Sequence, residues 1–199
     1  MPEIKGLLCI DLWERTPEEV AQGDRFDHWL NDLVKNLSPY KFDSIINAAY
    51  HTKIDFNDPS IYNTMVAYNW HEFDEQVMME LIRTCNNFTM SKFIQDTIFG
   101  DSTFALYSMD SFLKHTKKLV PHIKDWLVIG KCWKICVHGR PLGLKNLATI
   151  SEMNFYGADW GFYNKQTNGQ LLTADDFEND SINWKQIDSH LYQLQPDIQ

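Results

Sequence analysis

The run Lys5–Trp13 (KGLLCIDLW) limits the fold more than any other stretch of this chain. It is apolar almost without a break until Asp11. A strand with one wet face would alternate, so this pattern belongs to a parallel strand covered on both sides. A second run of this kind, Trp126–Ile129, lies between Asp125 and Gly130. Two such strands require crossover connections, and the sequence between and after them supplies helical spacing. In Asp24–Leu37, residues Phe26, Trp29, Leu30, Leu33, Val34 and Leu37 fall on one helical face, with Asp24 as the expected cap. Asp43–Tyr50 reads as the next strand, completing a β-α-β unit.

Farther along, His51–Asn69 reads as a long loop, Trp70–Thr84 as a helix and Ser91–Ile98 as a strand. Ser108–Lys118 reads as a helix, Ile150–Tyr156 as a fifth strand and Ser181–Leu194 as a final amphipathic helix. Gly157–Phe177 is rich in turn residues, and Thr167–Gln170 has the form of a hairpin turn. The expected fold is α/β: three layers, α/β/α, around a mostly parallel sheet of five or six strands. The whole of 1–199 forms one domain in this reading, with 157–180 as a candidate flap or covering segment.

Charge and composition narrow the partners. The net charge of −9 argues against a nucleic-acid or anionic-membrane surface, since both need clustered Lys and Arg. No apolar stretch approaches the ~18 residues that would span a bilayer. Cys9 falls within a strand, so the four cysteines do not read as a disulfide framework, and a reducing, cytoplasmic setting is expected. Seven Trp and eight Tyr suit an interaction surface, so a small ligand, a protein partner or a second copy of the chain is the expected company.

The chemistry concentrates in two places. Asp11 ends the first strand, where ligands of open α/β sheets bind. Cys136 follows the Trp126–Ile129 strand, and a helix start there would favour its thiolate. Cys132, Cys136 and His138 lack the spacing of a standard zinc site, so neither a metal nor another cofactor is expected. Phosphate-loop and G-x-S-x-G strings are absent from the sequence.

The two motifs, Leu7-Leu8-Cys9-Ile10-Asp11 and Leu127-Val128-Ile129-Gly130 followed by Cys136-Val137, resemble those of the isochorismatase-like (cysteine) hydrolase superfamily. The resemblance implies Asp11 as base, Cys136 as nucleophile attacking an amide or related carbon, and an oxyanion hole beside a cis peptide near Lys131-Cys132. It also implies a Lys near Asp96–Phe99, where this sequence has none; Lys131 or Lys134 would have to replace it. Trp133 would fill the oxyanion pocket, and Gly139, Pro141 and Gly143 would interrupt the helix after the Cys. These departures point to a degenerate site used for binding, with an active hydrolase as the alternative.

Overall fold

A computed structural model of the chain describes residues 2–12, 25–48, 103–105, 109–164 and 167–196. The readings for His51–Asn69, Trp70–Thr84 and Ser91–Ile98, the Asp24 cap and the site of the missing family Lys all lie outside them. The described elements are strands β1 (Gly6–Ile10), β2 (Ser44–Ala48), β3 (Thr103–Ala105), β4 (Asp125–Lys131), β5 (Asn154–Tyr163), β6 (Trp184–Gln186) and β7 (Leu191–Leu194). The helices are α1 (Phe26–Leu37), α2 (Met109–Lys118), α3 (Leu144–Leu147) and α4 (Ala174–Glu178), with a π-helical turn at Trp133–Val137.

Among the described residues, one mixed sheet runs β3-β2-β1-β4-β5-β7-β6. Its first five strands are parallel, and β7 runs antiparallel to both of its neighbours, β5 and β6. The fold is thus α/β, as the buried strands required. Alternate residues of β1 and β4 enter two separate apolar clusters. Leu7, Cys9, Leu127 and Ile129 pack with Phe26, Trp29, Leu30 and Leu33 of α1. Leu8, Ile10, Trp126 and Val128 pack with Phe112 of α2 and with Leu144 and Leu147 of α3. The spacing of apolar residues in α1 therefore does what its period implies, covering one side of the central strands.

The C-terminal third corrects the sequence reading. Ser181–Leu194 is no helix; it forms the β6–β7 hairpin. Trp184, Ile187, Leu191 and Leu194 have helical spacing, but Asp188 breaks the run. Its Oδ1 accepts from the backbone N–H groups of His190 (2.8 Å) and Leu191 (2.9 Å), a side-chain-locked turn that a helix could not contain. β7 then pairs with β5, from Tyr156↔Gln193 to Ala158↔Leu191. Gly157 and Gly161, read as turn residues, lie inside β5, where the pairing to β4 shifts between Val128 and Gly130. At 167–170 the turn is present, with Asn168 (φ 53°) and Gly169 (φ 77°) both left-handed, but residues 171–173 after it form no strand. Helix α4, missed in the sequence reading, begins at a Thr173–Asp176 capping box. Among the described residues no helix is long and apolar enough to cross a membrane.

Candidate functional site

The strand order places the site. Reading outward from β1, the chain goes to β2 and β3 on one side and to β4 and β5 on the other. The reversal falls between β1 and β4, and at such a point the loops leaving two adjacent parallel strands part and open a crevice. Ile10 pairs with Gly130, so the two strands end side by side. A Cβ at Gly130 would lie 2.5 Å from the Ile10 carbonyl oxygen, which explains why glycine stands there. Asp11 follows β1 and Cys132 follows β4, and both adopt left-handed backbone (φ 51° and 65°). For residues other than glycine this costs roughly 1–3 kcal/mol, a strain found most often at working sites.

After Cys132 the chain winds into the π turn. Its wider spiral puts Trp133 and Val137 in the core, while Cys136 and Arg140 lie together on the other side. Arg140 Nε donates to Asp11 Oδ2 at 2.7 Å, and Arg140 Nη2 donates to Cys136 Sγ at 3.7 Å. The carboxylate and the thiol therefore share one guanidinium. Asp11 is fully buried, Cys136 is nearly so, and the Arg140 side chain is 24% exposed. Burial works against the Arg140 charge, but the Asp11 carboxylate outweighs it and keeps the group protonated. The Cys136 thiol is pushed strongly upward, first by its hydrogen bond with Cys132, then by burial and by the negative charge of Asp11. At rest it is a neutral thiol rather than the expected thiolate.

The structure thus brings Asp11 and Cys136 to one guanidinium. Arg140 is the cation that sequence reasoning missed. It stands four residues after Cys136, a spacing that brings side chains together on any helical turn, but Gly139 and Pro141 obscured the turn. Lys131 is buried with its Nζ 4.6 Å from the Phe26 ring centroid, a cation–π contact, and Lys134 is exposed. The expected cis peptide at Lys131-Cys132 is not there, since every described peptide bond is trans; the chain turns the corner through the left-handed Cys132 instead.

Trp133 does not fill a pocket between Asp11 and Cys136. It is 1% exposed, in an aromatic group with Phe162 (4.4 Å between centroids), Phe177 (5.5 Å) and Trp184 (6.1 Å). His138 is not a metal ligand here. Its Nδ1 lies 2.6 Å from the Trp133 carbonyl oxygen and its Nε2 2.8 Å from Asp180 Oδ1. Both ring nitrogens face oxygen atoms of the protein. No group of three or more His, Cys, Asp or Glu among the described residues could hold a metal ion.

The backbone around the thiol is also committed. The amides of Ile135, Cys136 and Val137 all donate to the Cys132 carbonyl, at 3.1, 3.0 and 3.3 Å. The π turn thus uses all three of these amides internally. No family model matches the chain, and neither the curated proteins nor the solved structures yield a match.

Proposed function

We propose that this chain is a divergent member of the isochorismatase-like superfamily, with a three-layer α/β/α architecture, whose Asp11–Arg140–Cys136 site binds a ligand without hydrolysing it. The ancestry is supported by the placement of Asp11 and Cys136 on adjacent strand ends at the switch in strand order. The observation that carries the binding function is the engagement of all three amides next to Cys136 with Cys132 O. A tetrahedral oxyanion formed by attack of Sγ would find these three amides already engaged, and loss of even one such donor typically costs a factor of about 100–1,000 in kcat. The neutral thiol agrees with this, because only the thiolate attacks.

Alkylation tests the state of the thiol. Trypsin cuts after Lys134, so Cys132 and Cys136 fall on separate peptides whose labelling by iodoacetamide can be followed by mass. At pH 8 the Cys136 peptide will label at least about tenfold more slowly than an unstructured cysteine peptide, a factor set by one unit of thiol pKa. Labelling at or above the free-peptide rate would reject the binding reading.

One observation favours a second reading. Arg140 Nη2, 3.7 Å from Sγ, could stabilise a thiolate. In that case Asp11 takes the Sγ proton, Sγ attacks an amide carbon, the amine leaves with the proton, and water hydrolyses the thioester. Turnover of simple primary amides or N-carbamoyl compounds, abolished by both D11N and C136S, would establish the hydrolase and overturn the binding reading.

A further inference from the structure

We propose that a cleft between the C-terminal end of α1 and strands β5 and β7 binds a compact organic cation, seated in the angle between the Tyr40 and Trp160 rings with Asp188 as its counter-charge. The cleft has a volume of about 400 Å³ and is walled by Tyr40, Trp160, Asp188 and apolar groups such as Ile4 and Leu191. It is distinct from the Asp11 site. Ile4 precedes β1 and Asp11 follows it, so the strand separates them by about 16 Å at 3.3 Å per residue.

Three features define the ligand. The Tyr40 and Trp160 centroids are 6.3 Å apart with their planes inclined at 51°, and both residues line the cleft, so a single group there can meet both rings. Aromatic faces attract cations within about 6 Å, quaternary ammonium groups above all. Tyr40 stacks on Phe42 at 5.6 Å and 2°, and the Trp160 backbone is tied to α1 by its carbonyl, which accepts from Trp29 Nε1 at 3.1 Å.

The charge of the wall is negative. Asp188 Oδ1 is anchored by the two turn amides, while Oδ2 has no hydrogen-bond partner among the described residues. The negative charge of Asp188 reaches Tyr40, raising its hydroxyl pKa together with burial, the larger cause. His190, the other ionisable group in the wall besides Tyr40, is paired with Asp159 at 2.8 Å, so its charge is matched outside the cleft. That leaves an apolar, aromatic hollow with one carboxylate, a combination that favours a cation and disfavours an anion.

Choline and its neutral isostere 3,3-dimethylbutan-1-ol test the assignment, by tryptophan fluorescence and by calorimetry on the full chain. Choline will bind saturably, and the alcohol at least tenfold more weakly. D188N retains the Oδ1 acceptor of the turn and so preserves the fold, which thermal unfolding will verify; it will weaken choline about tenfold. Y40L will remove saturation altogether. Equal binding of the two compounds, no saturation by choline into the tens of millimolar, or an unchanged affinity in a folded D188N would each overturn the proposal.

Discussion

Trp133→Ala will destabilise the protein by about 3–5 kcal/mol, the cost of emptying an aromatic site in a packed core. Trp133 is 1% exposed and meets Phe162, Phe177, Trp184 and His138. The neighbouring groups come from β5, α4 and β6 as well as from its own turn, so the surroundings cannot close over the void without moving several elements. Ile135, two residues on, is 73% exposed, and Ile135→Ala should change stability by no more than about 0.5 kcal/mol. Urea unfolding of the pair measures the contrast. Equal effects at the two positions would mean that the π turn does not place Trp133 in the core.

Asp180→Ala will be similarly costly, about 3–5 kcal/mol, because it strands a buried partner. The Asp180 and His138 side chains are 2% and 4% exposed, and Asp180 also accepts from Trp184 Nε1 at 2.9 Å and from Ser181 N at 2.7 Å. One carboxylate thus ties the π turn to β6. Burial raises the Asp180 carboxyl pKa, but the hydrogen bonds from His138 and Trp184 outweigh it and hold the group below its ordinary 3.8. A folded-state value below the unfolded one contributes stability above the unfolded value and loses it as pH falls through the folded one. The gap between wild type and D180A should therefore be full at pH 5–7 and shrink below about pH 4. Denaturant midpoints at pH 7, 5 and 3 measure it. A gap that widened in acid would contradict the assignment of Asp180 as the paired carboxylate.

The same segment shows where sequence reasoning lost the thread. Nothing local marks the role of His138: its partner Asp180 is 42 residues away, and no sequence pattern links them. Arg140 was hidden for a different reason. Gly139 and Pro141 suggest a broken helix, and the π turn just before them leaves no periodic signature of its own. Trp133 looked intrusive because an indole beside a catalytic cysteine would be; the extra residue in the turn rotates it into the core. The β6–β7 hairpin shows a limit of periodicity itself. Four apolar residues at spacings of three and four fit a helix, yet the Asp188 side chain locks a turn in the middle and β7 takes up the edge of β5.

The sequence by itself determined the central strands, the α1 face that covers them and the position of Asp11 at a strand end. These depend on local apolar spacing and on the rule that a buried strand cannot alternate. Only the tertiary structure decided what the site became. Asp11, Cys136 and Arg140 meet because β1 and β4 are neighbours at the switch in strand order, and the thiol is neutral because a buried hydrogen bond and a buried carboxylate surround it. Charge state and donor availability are properties of groups brought together from distant parts of the chain, which local sequence patterns do not encode.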